Sequence, residues 1–362
     1  MAIFRKLFNE KTPIIISGPC SAETPDQVME TARLLSQSGK IHLFRAGIWK
    51  PRTKPGMFEG VGSIGLSWLQ EVKNETHLPL TIEVATALHV EEALAHQIDC
   101  LWIGARTVAN PFSVQELAEA LKGVEIPVLI KNPTNPDLEL WSGAIERIIK
   151  AGIEDIGLIH RGFTSYAQTE YRNPPMWQLA IEMKRRYPEF PMICDPSHIC
   201  GNRRLLQSVA QQSIDLDYDG LMIESHIDPD KAWSDAAQQI TPNKLVDLLD
   251  ALCWRSIEGN SKIDFSELAQ LRAQIDQKDD ELIQLLSERM KIADQIGVYK
   301  KNNNITILQS ERWNEILQRA IVKCEQMGLS KEFIRKYFES VHLESINHQN
   351  NVMNHNDSPK QN

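Results

Sequence analysis

The chain has 362 residues, of which 42% are hydrophobic and 24% charged, and a formal net charge of -9. That length can bury one large core or two smaller ones, and the excess of acid argues against nucleic acid or an anionic membrane surface as a partner. The six cysteines show no CxxC spacing, residues 1–13 hold no apolar core long enough for a signal peptide, and no apolar run approaches the roughly 20 residues that span a bilayer, so a soluble, cytoplasmic protein is expected.

Short apolar, β-branched runs recur in chain order: PIIISGPC from Pro13, IHLFRAG from Ile41, LPLTIEVAT from Leu78, DCLWIGAR from Asp99, IPVLIKN from Ile126, DIGLIHRG from Asp155, PMICDPSH from Pro191 and DGLMIES from Asp219. They are too apolar for half-exposed hairpin strands. Helical patterns such as DQVMETARLLSQSG and SVQELAEALKG lie between them, so each reads as a buried parallel strand. Eight β-then-α units in about 240 residues predict an α/β fold, a (β/α)8 TIM barrel over residues 1–255. A doubly wound open sheet is the alternative, but no GxGxxG turn favours it.

Residues 256–263 are small and polar and read as a linker. From Asp264 the composition changes. An N-cap at Asp264 with Glu267 three residues on, followed by apolar residues at helical spacing, predicts one helix of nearly forty residues. Two shorter helices follow, at about 309–327, closed by Gly328, and about 330–349, begun by Ser330. Residues 264–349 thus form a small all-α domain, and the polar tail 350–362 is expected to be disordered.

Barrel enzymes carry their chemistry at the C-terminal ends of the strands. In order these ends offer Cys20, Arg45 with Lys50 and Arg52, Glu83, Arg106, Lys131, Arg161, His198 and Glu224. Arg45, Lys50 and Arg52, with Lys54, crowd into the stretch FRAGIWKPRTKPG of an otherwise acidic chain. With Arg106, Lys131 and Arg161 they predict a cationic bowl for more than one phosphate or carboxylate. Cys20, His198, Glu224 and Asp235 form a second set able to ligate a divalent ion; mixed S/N/O donors suit Mn, Fe, Co or Zn better than Mg. Cys194 and Cys200 around His198 are a rival ligand set, disfavoured because Cys194 is expected to fill the barrel interior from within a strand.

The motifs GPCS, RAGIWKPRT, GAR, IKNP, HRG, DPSH and MIESH followed by SDAAQQ resemble the type I beta 3-deoxy-D-arabino-heptulosonate 7-phosphate (DAHP) synthases across residues 13–255. The resemblance implies a metal-dependent condensation of phosphoenolpyruvate with erythrose 4-phosphate. It implies Cys20, His198, Glu224 and Asp235 as metal ligands, Arg45, Lys50, Arg106, Lys131 and Arg161 on phosphoenolpyruvate, and Arg52 and Thr53 on the sugar phosphate. Lys50 is also a candidate for proton transfer. The sister enzyme acting on arabinose 5-phosphate lacks the KPRT motif, which stands here at residues 50–53.

Residues 268–349, through LRAQID, LLSERMKIADQIGVYK and ESINHQ, resemble the all-helical chorismate mutases. The match implies Arg272, Arg289, Lys300, Arg312, Ser345 and Gln349 around a small dianion, with Arg289, Lys300 and Gln349 as the catalytic group. Gln309 stands where the family commonly has Asp, and Trp313 where it has a Glu that binds the substrate hydroxyl. Arg289 and Lys300 are about three turns apart on one face, whereas Arg272 lies about 25 Å along the axis from Arg289, so Arg272 must serve a second chain in an antiparallel homodimer. Solvated charges on a dimerisation helix are the plain alternative. The reading is a bifunctional enzyme under feedback, with chorismate or prephenate as effector. The alternative is a synthase whose helical part only dimerises and senses a ligand.

Overall fold

The computed structural model describes residues 3–50, 56, 58–255 and 266–354. The chain divides into two compact units, Met1–Gly259 and Asn260–Asn362. The linker expected at 256–263 and the Asp264 cap lie outside the described residues.

In the first unit eight parallel strands close into a barrel in sequence order: β1 (Ile14–Gly18), β2 (Leu43–Arg45), β3 (Leu80–Val84), β4 (Cys100–Ile103), β5 (Val128–Lys131), β6 (Ile156–His160), β7 (Met192–Cys194) and β8 (Gly220–Glu224). The ring closes through β1 and β8, with Ile16 opposite Met222 and Gly18 opposite Glu224. Thr24, Thr86, Asn110, Asp137 and Thr241 each accept a backbone N–H bond from the first turn of the helix that follows. Those turns therefore start where the sequence supplies a short oxygen-bearing side chain.

Alternation along each strand sorts the residues into two layers. Leu43, Trp102, Leu129, Ile159, Ile193 and Met222 pack together inside the barrel, while Phe44, Leu101, Ile130, Leu158, Cys194 and Leu221 join the larger core between barrel and helices. Cys194 thus faces the helices, correcting the expectation that it fills the interior; Ile193 does. An unforeseen helix, Ile3–Asn9, caps the other end: Phe4 is fully buried in the interior cluster. Both oxygens of Asp155 accept from that helix's first amides, Phe4 N–H at 3.1 Å and Arg5 N–H at 2.8 Å.

The second unit is three helices, Ser266–Asn302, Ser310–Gln326 and Lys331–Asn354. The long helix packs along the last, and the middle helix packs on the last. The last helix continues to Asn354, so the stretch assigned to a disordered tail from residue 350 begins as helix. No helix among the described residues is long and apolar enough to cross a membrane.

Candidate active site

Strand parity builds the barrel mouth. One inward step beyond the apolar interior layer, Leu43 gives way to Arg45, Leu129 to Lys131, Ile159 to Arg161, Ile193 to Asp195 and Met222 to Glu224. Arg45, Lys131, Asp195 and Glu224 are almost fully buried. Arg45 Nη2 lies 3.1 Å from Glu224 Oε1, and Lys131 Nζ lies 2.9 Å from Asp195 Oδ2. Burial pushes Lys131 down, with Arg45 adding to the push and Asp195 opposing it. Burial would raise Asp195, but His198 and Lys131 hold it well below the usual carboxylate range.

Further out, burial lowers Arg161 to about 10, helped by the nearby charges of Arg172 and Arg106. Arg161 Nη1 donates to Asn173 Oδ1 at 2.9 Å, and its backbone N–H donates to Asn132 Oδ1 at 2.7 Å. Asn173 Nδ2 donates in turn to the His198 carbonyl at 2.7 Å. Lys50 reaches across to Cys20, with Nζ 3.2 Å from Sγ. Arg52 and Thr53 lie outside the described residues.

The second set gathers beside these cations. Donor atoms of Cys20, Glu224 and Asp235 lie within 4.8 Å of one another. His198 comes from the short helix Pro196–Cys200, with Nε2 3.7 Å from Glu224 Oε1 and Nδ1 2.8 Å from Asp195 Oδ2. Glu224 Oε2 accepts from Gln238 at 2.7 Å, whereas Oε1 is buried without a hydrogen-bond donor among the described residues. A carboxylate oxygen held by its ion pair to Arg45, beside a thiol, an imidazole and a second carboxylate, fits a divalent ion of the borderline-soft kind. Burial and Glu224 push the Cys20 thiol up to about 12, although Lys50 opposes them, so binding through sulfur requires a cation strong enough to displace the proton. Burial would raise Asp235, but Arg172, 2.9 Å away, holds it well down.

Asp195, Arg172, Asn132 and Asn173 were not read as site residues. Asp195 was legible by parity, being the inward neighbour of Ile193. Arg172 and the two asparagines sit in loops, where no period marks them.

In the helical unit, Arg289 Nη1 donates to Ser345 Oγ and Gln349 Nε2 donates to the Ser345 carbonyl at 3.2 Å, so these three residues come together. Gln349 Oε1 is buried without a partner among the described residues. Lys300 Nζ donates to the Ile307 carbonyl at 2.6 Å and helps line a 340 Å³ cavity with Ile296, Tyr299 and Gln309. Trp313 stacks on His342, centroids 4.1 Å apart. Arg312 pairs with Glu315 at 2.9 Å, and Arg272 sits on the exposed first half of the long helix.

The fold and the mouth define a parallel (β/α)8 barrel with buried cations beside a metal-competent cluster. Residues 8–258 match the model of the DAHP synthetase I family, and the chain belongs to that family. Residues 271–350 match the model for chorismate mutase type II. The chain is 30% identical over 226 residues to a phospho-2-dehydro-3-deoxyheptonate aldolase of Thermotoga maritima, covering 62% of this chain and 64% of that one. It thus spans just under two thirds of that relative. It is 27% identical to a 2-dehydro-3-deoxyphosphooctonate aldolase of Nitratidesulfovibrio vulgaris, covering 66% of this chain and 90% of that one. The crystal structure of the DAHP synthase of Thermotoga maritima superposes with a TM-score of 0.59 at 29% identity, over 66% of this chain and 67% of that one.

Proposed function

We propose that the barrel condenses phosphoenolpyruvate with D-erythrose 4-phosphate and water to give DAHP and inorganic phosphate. The observation that carries this reading is the set of buried cations at the strand ends, beside a thiol–imidazole–carboxylate cluster. Arg45, Lys131, Arg161 and Arg106 hold the carboxylate and phosphate of phosphoenolpyruvate, two anionic groups that bulk water would otherwise have to solvate. Arg52 and Thr53 take the phosphate of the sugar. C3 of the enol attacks the aldehyde carbon, water adds to the cationic C2, and phosphate leaves. Cys20, His198, Glu224 and Asp235 would hold a divalent ion, which when bound supplies Lewis-acid polarisation of the aldehyde. Lys50, 3.2 Å from Cys20, would exchange a proton with the new hydroxyl.

A relative named for the octulosonate chemistry makes the sugar the point to test. Erythrose 4-phosphate is expected to be consumed with release of phosphate, and arabinose 5-phosphate to be turned over at least tenfold more slowly. Equal rates would overturn the assignment of Arg52 and Thr53. Chelation is expected to abolish activity, and Mn or Co to restore it; full activity in metal-stripped protein would remove the metal role.

The same proposal gives the helical unit the rearrangement of chorismate to prephenate. Arg289, Lys300 and Gln349 would stabilise a dianionic transition state that needs no nucleophile. The two chains of an antiparallel homodimer would complete each site with the partner's copy of position 272. Supporting this, Leu268, Leu271, Ile275, Leu282 and Leu285 are exposed along the first half of the long helix, an apolar stripe a single chain leaves in water. Mixing inactive Arg272→Ala with inactive Arg289→Ala chains is expected to restore mutase activity, and no recovery after subunit exchange would exclude shared sites. The ligand-sensing alternative draws on the Trp313–His342 stack, which puts bulk where the family carries a carboxylate. A chorismate disappearance assay separates the two readings. In either, prephenate bound at the helices is proposed to slow the barrel, so a chain ending at Arg255 should lose that inhibition.

A further inference from the structure

Six strands place a side chain at the inward position of the site layer, whereas β1 and β4 place a glycine there, Gly18 and Gly104. At Gly104, the next inward position after Trp102, an added Cβ would overlap Glu83 Oε1 and come within 2.8 Å of its Cδ. The space above β4 is therefore closed to any side chain of its own, and the largest residue of the interior layer stands directly below it. Trp102 is fully buried, packs with Leu129 and Met222 on its apolar side, and touches the cations on the other. Arg45 Cζ lies 5.0 Å from the centroid of its ring and Lys131 Nζ lies 5.8 Å from it. Arg45 is otherwise thinly held: among the described residues its Nε and Nη1 have no hydrogen-bond partner, and its ion pair uses Nη2.

We propose that Trp102 is a positioning residue for the anion site, its π-face fixing Arg45 and Lys131 in place before substrate arrives. The proposal rests on the reading of that layer as the phosphoenolpyruvate site. Its physical basis is the negative face of the indole ring, which attracts a cation most strongly where water is excluded. Two cations buried near one another repel, and the carboxylates that balance them, Glu224 and Asp195, are shared with the metal-competent cluster. A ring offers compensation that no metal can withdraw. It also cannot hydrogen-bond the cations, so it leaves their N–H groups free for the incoming oxygens.

The test replaces Trp102 in the full-length protein with Phe, with Leu, and site-specifically with tryptophans bearing one to three ring fluorines, which drain the π-face while barely changing its shape. Phosphoenolpyruvate binding and the two KM values are read for each variant, with thermal unfolding as a control. Successive fluorines are expected to weaken phosphoenolpyruvate binding stepwise, to on the order of tenfold at full substitution, with KM for the aldose phosphate held within about twofold. Trp102→Phe should fall between wild type and Trp102→Leu. A flat fluorine series overturns the proposal, as does a Leu variant that folds and binds phosphoenolpyruvate like wild type, or parallel movement of both KM values. If Trp102→Leu fails to fold, the fluorine series alone decides. Absence of phosphoenolpyruvate binding in the wild-type protein would instead remove the reading of the site itself.

Discussion

Position 47 shows how one missing side chain sets the chemistry of others. A Cβ on Gly47 would overlap Lys50 Cε, approach its Nζ to 2.7 Å and meet the Cys20 carbonyl at 2.6 Å. Gly47→Ala must therefore push Lys50 away from Cys20. If Lys50 moves a proton as proposed, a displacement of about 1 Å can cost 100-fold, so kcat is expected to fall by about that factor while the circular dichroism spectrum stays unchanged. His160 gives a second prediction. It is fully buried, with Nε2 2.6 Å from the Pro175 carbonyl and Nδ1 2.8 Å from the Tyr218 hydroxyl, and burial lowers it to about 4. The unfolded chain takes up that proton from about pH 6.5 downward. The folded chain resists until about 4, so stability present above pH 6.5 is lost as pH falls toward 4. A difference profile of melting temperature against pH should show this acid limb flattened in His160→Gln. A histidine in HRG gave the sequence reading no sign of this role, because its partners lie 15 and 58 residues away. Arg45, Lys131 and Glu224 were legible because each sits where an apolar strand run ends.

At the scale of elements, the strands declared themselves through continuous apolar runs and the long helix through its period. The helix Ile3–Asn9 did not, because seven residues hold too few turns to show a period and its anchor, Asp155, is about 150 residues distant. Phe4→Ala should destabilise the barrel by about 3–5 kcal/mol, as emptying a packed aromatic site does, measured by urea denaturation. Asp155→Ala should cost about 1–2 kcal/mol through loss of the helix cap. If Phe4→Ala cost no more than an exposed substitution, the helix would not be closing the barrel.

For the whole molecule, the proposed homodimer makes the two units depend on concentration differently. With the proposed homodimer covering the exposed apolar stripe, the helical transition becomes a function of protein concentration, since association stabilises by mass action. Calorimetry across a hundredfold dilution should move the helical melting temperature downward and leave the Phe4-dependent barrel transition in place. A helical transition indifferent to dilution would count against the homodimer.

The helix at the foot of the barrel has one more consequence. With Phe4 sealing that end, everything that enters or leaves the barrel uses the same doorway, and traffic through a single doorway has an order. Arg45 and Lys131 are buried at the inner side of that doorway. If they hold phosphoenolpyruvate as proposed, it must come in first and is locked behind its successor. On that proposal a sugar phosphate arriving early would bar the way to its co-substrate, so an excess of it should slow the enzyme rather than saturate it.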